Sequence, residues 1–178
     1  MKRYALTVVL SVLSASAAFA QTKSPVEGVW KIAEVIPASS NTTEKPKPIT
    51  NPQPGLLIFT KGYYSIVAVM GKDPRAAVEP KDRANVTDAE KIAFYEQWRA
   101  FAANSGTYEI KGSTLTRSPS VAKNVLVMTS QGPIVTEFKM EGPNTLWLSP
   151  SADRPNDPQV KWTRVSDLAN SLTWGMQD

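Results

Sequence analysis

Few side chains in this sequence are equipped for polar chemistry inside a protein, and two of the commonest kinds are missing. The chain contains no His and no Cys. Without imidazole, His-based triads, imidazole general bases and nearly all zinc and haem ligation are excluded. Acid–base work falls to Asp, Glu, Lys or Tyr, and no metal or cofactor is expected. Against that background Arg117 stands out. It sits in Thr114-Leu-Thr-Arg-Ser-Pro119, where alternation with Leu115 points it to the same face as Tyr108 on the preceding segment. An isolated charge on an inward face is expensive unless paired. Either Arg117 holds the carboxylate or phosphate head of a ligand whose tail lies on an apolar wall, or it pairs with an interior acid such as Glu34, or a shift of register swings it outward. Glu34 faces inward by the same parity, in the series Trp30, Ile32, Glu34 and Ile36. Tyr63, Tyr64 and Tyr108 can donate hydrogen bonds into a cavity or pack with satisfied hydroxyls.

These groups need rigid elements to hold them, and the most legible is Gly55-Leu-Leu-Ile-Phe-Thr-Lys-Gly-Tyr-Tyr-Ser-Ile-Val-Ala-Val-Met70. Two apolar, β-branched and aromatic runs flank Lys61-Gly62, where glycine supplies the positive φ of a tight turn. A two-residue loop sets Thr60 opposite Tyr63, Phe59 opposite Tyr64 and Leu57 opposite Ile66. One face then carries Leu57, Phe59, Tyr64, Ile66, Ala68 and Met70. A lone hairpin is marginally stable, so partner strands are required.

The chain has 178 residues. Its first twenty read as a secretory leader: basic Lys2 and Arg3, an apolar run from Leu6 to Leu13, and a small-x-small signal at Ala18-Phe19-Ala20, with cleavage expected after Ala20. Residues 21–178 suit one domain with a sizeable core, spanning about 26–165. Without Lys2 and Arg3 the 20 basic residues fall to 18 against 16 acidic ones, a net charge of +2. No basic run is interleaved with aromatics, so nucleic acid is not an expected partner. No membrane span is expected after cleavage, which places the protein in the periplasm or outside the cell. Oligomeric state is left open.

Other segments supply the partner strands. Gly28 to Ile36 is the first. After the opening hairpin, Thr87-Asp-Ala-Glu90 is a capping-box signature. Ile92, Tyr95, Trp98, Phe101 and Ala102 follow it at helical spacing. That helix is expected to pack on the barrel or to line its mouth as a lid. Gly106 to Lys111 and Thr114 to Pro119 form a second hairpin about Gly112-Ser113, with Ile110 facing Leu115 and Tyr108 facing Arg117. Val125 to Met128 fits either a strand extension or a cap over a cavity. Ile134 to Met140, Thr145 to Ser149 and Gln159 to Val165 complete eight strands in up-down pairs. Eight antiparallel strands close a barrel whose interior is either filled or holds one small ligand. The tight turns at 61–62, 112–113 and 141–144 fall at one end. The long loops 37–54, 71–104, 120–132 and 150–158 fall at the other, which is therefore the mouth.

In this arrangement the sequence resembles the lipocalin-like domain family of small calycin-type barrels. The likeness rests on Gly28-x-Trp30, Gly55-Leu-Leu-Ile-Phe-Thr-x-Gly-Tyr-Tyr-Ser65, Gly106-Thr-Tyr-Glu-Ile110 and Trp162-x-Arg164. Segment 118–131 departs from the pattern. The resemblance implies a mainly β fold: a single eight-stranded antiparallel up-and-down barrel with one helix after the third strand. It also implies that Trp30 and Arg164 close the narrow end. The expected binding set is Arg117, Tyr108, Tyr64, Glu34, Phe59, Ile66 and Trp98, with no catalytic residue. The expected partner is a small hydrophobic or amphipathic molecule held in the barrel. Two alternatives stand beside this. One is a small barrel enzyme (isomerase, cyclase or hydrolase) using Glu34, Arg117 and a Tyr. The other is a filled barrel that binds a partner through its outer face or its tail (Leu168, Leu172, Trp174).

Overall fold

The opening hairpin forms with the register its residues predict. In the computed structural model β2 (Gly55–Thr60) and β3 (Tyr63–Val69) pair with Thr60 opposite Tyr63, Phe59 opposite Tyr64 and Leu57 opposite Ile66. Lys61 (φ 44°) and Gly62 (φ 83°) both take positive φ, as the I′ hairpin turn requires to match the twist of its strands. The structure describes residues 24–38, 46–70, 73–75, 77–129 and 132–165. The expected leader, the centre of the first Pro-rich loop and the tail bearing Leu168, Leu172 and Trp174 lie outside the described residues.

Around this hairpin stand β1 (Gly28–Ile36), β4 (Phe101–Lys111), β5 (Thr114–Ala122), β6 (Ile134–Met140), β7 (Thr145–Pro150) and β8 (Gln159–Arg164). Each pairs antiparallel with its neighbours in chain order, and β1 pairs with β8 to close an eight-stranded barrel. This is the architecture the resemblance implies. Inward residues from the strands meet Val26, from the turn before β1, in one core: Trp30, Leu57, Phe59, Tyr64, Tyr108, Leu115, Leu146, Leu148 and Trp162. Burying each large apolar side chain contributes about 1.5–3 kcal/mol. Val26 has no counterpart in the strand pattern. It plugs the narrow end from the turn before β1 and accepts a hydrogen bond from Trp30 Nε1 at 2.7 Å.

Two strands differ from their expected form. β4 begins at Phe101 rather than at Gly106, because Val69 pairs with Phe101, Ala68 with Ala102, and Ile66 with Asn104. Ladder pairing with β3 thus overrides the helical spacing of Phe101 and Ala102. β5 continues past Pro119 to Ala122 through a register shift opposite Ser105 and Gly106. Segment Val125 to Met128 turns into the short helix α2 (Leu126–Thr129).

Helix α1 (Asp88–Arg99) follows β3 and starts on the predicted capping box. The Thr87 hydroxyl accepts from Glu90 N–H, and the Glu90 carboxylate accepts from Thr87 N–H at 2.9 Å. The helix does not pack its apolar stripe on the barrel. Ile92, Tyr95 and Trp98 are 64%, 64% and 51% exposed, and none of its residues is buried. Its stability is therefore largely local. Thr87→Ala is expected to cost the helix about 1 kcal/mol. Amide hydrogen exchange over 88–99 should speed several-fold while the global melting temperature stays within 1–2 °C, on the order expected for a locally fraying element. A global shift well beyond that would mean the helix is integral to the core.

Candidate functional site

Arg117 lies on β5 between Tyr108 of β4 and Ile134 of β6. Strand pairing holds it inward, and only 7% of its surface is exposed. Its Nε has no hydrogen-bond partner. Among the described residues no carboxylate comes within ion-pair distance of its guanidinium. The group lies over the ring of Tyr64, 5.6 Å from the centroid. Burial holds the Arg117 pKa below its ordinary value; the Tyr64 phenol and Asp157 oppose the shift, and Arg154 adds to it. Arg154 and Asp157, on the loop after β7, neutralise each other in an ion pair of 2.8 Å.

Tyr64 connects this charge to the mouth. Its hydroxyl donates to Asn104 Oδ1 at 2.7 Å. Burial raises the phenol's pKa above its ordinary value, and the positive Arg117 pulls it back in part. Phe59 packs edge-on against Tyr108 at 4.9 Å and tilts towards Tyr64 at 6.5 Å. Ile66 is partly buried against the same core and pairs with Asn104. Asn104 and Ala102 in turn line a cleft of about 250 Å³, bounded by Met70, Arg99, Lys123 and Val127. That is slightly below the roughly 300–1,000 Å³ of ordinary small-molecule sites. Two of its cations are engaged. Arg99 pairs with Glu96 at 2.7 Å, and the Lys123 ammonium donates to the carbonyls of Trp98 and Phe101.

Five of the predicted residues, Arg117, Tyr108, Tyr64, Phe59 and Ile66, thus share the inner wall. Glu34 does not join them. A register shift between Ile32 and Glu34 sets Glu34 opposite Lys161 and Val35 opposite Val160. Lys161 lies over the ring of Trp147, on the face away from the buried Leu146 and Leu148. The bulge therefore takes Glu34 off the inward face, and it neither pairs with Arg117 nor meets Tyr108. The trio that a His-free enzyme was expected to use is dispersed. Trp98 is also elsewhere: half exposed on α1, it packs edge-on against Phe101 at 5.6 Å and does not line the cleft.

At the opposite end Arg164 lies 4.0 Å from the centroid of the Trp30 ring. It donates to Pro143 O at 2.7 Å, to Pro25 O at 3.1 Å and to Glu27 O. Trp30, fully buried, closes the barrel interior here; outside this plug a surface cleft of about 460 Å³ is bordered by Pro25, Glu27, Pro143 and Arg164. Asn104 is the residue that sequence reasoning missed. The signal was available: even-numbered positions run inward as Ala102, Asn104, Gly106 and Tyr108 once β4 is extended back from Tyr108.

Among the described residues no three His, Cys, Asp or Glu side chains gather where they could hold a metal ion. No helix among them is long and apolar enough to cross a membrane. Neither a family model nor a curated protein matches the chain. Two solved structures are similar to it. One is a lipocalin-like protein from Bacteroides uniformis ATCC 8492, at 10% identity and a TM-score of 0.44, covering 80% of this chain and 100% of that one. The other is an uncharacterized protein from Bacteroides eggerthii DSM 20697, at 9% identity and a TM-score of 0.42, covering 78% and 98%.

Proposed function

We propose that this protein is exported after loss of residues 1–20 and acts as a binding protein. It holds one small, largely apolar molecule in the mouth half of the barrel and catalyses no reaction. One observation carries this reading: the barrel is plugged at one end by Trp30 and Arg164, while at the other the inner wall runs, through the Tyr64–Asn104 hydrogen bond, into a cleft. The wall offers aromatic rings, Ile66 and two phenols. Such a surface gains free energy by shedding water onto an apolar guest. With Glu34 turned away and Asp157 bound to Arg154, no carboxylate among the described residues pairs with Arg117, which supports binding over acid–base chemistry.

The test is occupancy. The processed chain should carry a co-purifying small molecule in native mass spectrometry, or displace 1-anilinonaphthalene-8-sulfonate from its own mouth when offered apolar ligands. Ala102→Trp, which puts an indole into the cleft, should weaken that binding at least tenfold, about 1.4 kcal/mol, with the melting temperature within a few degrees of wild type. Absence of both occupancy and dye binding would instead favour the filled barrel.

A further inference from the structure

We propose that Arg117 anchors the carboxylate of a small monocarboxylic acid whose apolar body lies along the inner wall. This rests on the barrel being a binding protein and names the class of its ligand. Buried polar groups are ordinarily paired, and a buried charge without a counter-ion is among the costliest features a fold can carry. Arg117 is such a group: 7% exposed, with Nε unpartnered and no described carboxylate within ion-pair distance, the Asp157 carboxylate being bound to Arg154. A guest supplying the missing anion would complete the site.

Charge selects among anions. Arg154 and Asp157 neutralise each other, Arg99 is paired with Glu96, and the Lys123 ammonium is held by two carbonyls. Lys123 keeps its charge but lies exposed to water at the rim, so Arg117 is the one buried cation among the described wall residues without a counter-ion within ion-pair distance. A carboxylate balances it and matches the planar guanidinium fork with two parallel hydrogen bonds. A phosphate monoester, at about −1.5 to −2, would leave surplus negative charge in a poorly solvated space. A further buried polar group without a partner, the Ser151 hydroxyl, lies one residue past the end of β7. Pro150 before it pairs with Thr136, two residues along β6 from Ile134, the partner of Arg117. Trp30, Leu57, Leu115 and Leu146, all fully buried, fill the closed half. The body of the acid must therefore extend from Arg117 towards the mouth.

Isothermal titration calorimetry of the processed chain with decanoate, decanol and decyl phosphate tests this, since the three share one tail. Decanoate is expected to bind at least tenfold more tightly than either of the others. Arg117→Met should remove at least tenfold of the decanoate affinity and leave decanol within twofold. It should also raise the melting temperature of the ligand-free protein, because an unpaired buried charge is replaced by an apolar chain; a structural arginine would give the opposite sign. A lower melting temperature for Arg117→Met overturns the proposal. Equal binding of decanoate and decanol overturns the anchor and leaves the binding reading standing. Tighter binding of decyl phosphate overturns the carboxylate class. Failure of all three ligands to bind wild type overturns both readings together.

Discussion

Replacing Gly106 by alanine is expected to destabilise the barrel by about 3 kcal/mol or more, at the upper end of what overpacking costs. In a domain of this size that lowers the melting temperature by roughly 6–12 °C. A Cβ built on Gly106 overlaps the carbonyl oxygen of Ser118 and sits 2.9 Å from Pro119 Cα and from the Ser118 carbonyl carbon. All three are backbone atoms, so no rotamer change relieves the clash, and β4 and β5 must part. Alanine also restricts the unfolded chain, which stabilises by about 0.4–1 kcal/mol. That is too little to offset the overlap. The close approach exists because the ladder shifts register here, with Gly106 opposite Pro119 but Ser105 opposite Val121. The shift aims the end of β5 at the rim, where Lys123 and Asn124 border the cleft. Ligand affinity in Gly106→Ala should therefore fall along with stability. Thr107→Ala, one residue along and exposed, is the control and should stay within about 0.5 kcal/mol. Thermal melts or urea unfolding decide it: a Gly106→Ala protein melting within 2 °C of wild type, as a rough threshold, would mean the strands separate without penalty.

That register shift also explains where sequence reasoning succeeds on this chain and where it stops. The opening hairpin was legible because period-two alternation and a Lys-Gly turn point to one register, and nothing interrupts the ladder between Gly55 and Ala68. The pairing of Tyr108 with Arg117 was legible for the same reason. Parity counting assumes an unbroken strand, and a bulge adds a residue with no sequence mark of its own. Ala33 falls within such a shift, so Glu34 leaves the face that Trp30 and Ile32 define. Asn104 was hidden by a different competition. Phe101 and Ala102 match helical spacing, yet the exposed edge of β3 captures them as strand. Once β4 starts at Phe101, Ala100 is the whole connection to α1, and the helix meets the barrel chiefly through β4. Of its stripe, Trp98 packs against Phe101 of the sheet, while Ile92 and Tyr95 stay mostly exposed. That Arg117 faces inward follows from alternation alone. That no acid among the described residues pairs with it depends on where Glu34 and Asp157 end up, and pairing rules for single strands carry no such information.

The closed end should separate stability from binding. Trp30→Ala is expected to cost about 3–5 kcal/mol, the usual penalty for deleting a buried large aromatic. Trp30 is fully buried, its indole N–H is bound to Val26 O, and Arg164 covers its ring. Arg164→Met should cost less, about 1–2 kcal/mol. The stem still packs, and the carbonyls of Pro25, Glu27 and Pro143 that lose a donor lie near enough to solvent to recruit water. In a double-mutant cycle the two changes should be coupled by about 0.5–2 kcal/mol, the strength of a guanidinium over an indole face. The coupling should be smaller than either parent effect, because Arg164 keeps its three carbonyl contacts when the ring is gone. Zero coupling would reduce the stacked geometry to simple proximity. Neither variant should change ligand affinity measured well below its melting temperature, since the plug and the mouth are at opposite ends of the strands. Loss of affinity in Arg164→Met without loss of fold would place a ligand contact at the closed end and reverse the assignment of the two ends. Arg117→Met and Arg164→Met thus form a matched pair. The first removes a charge that the fold leaves uncompensated, and the second removes one that the fold has fully engaged. Opposite signs in stability, and an effect on binding from the first alone, are what that difference demands.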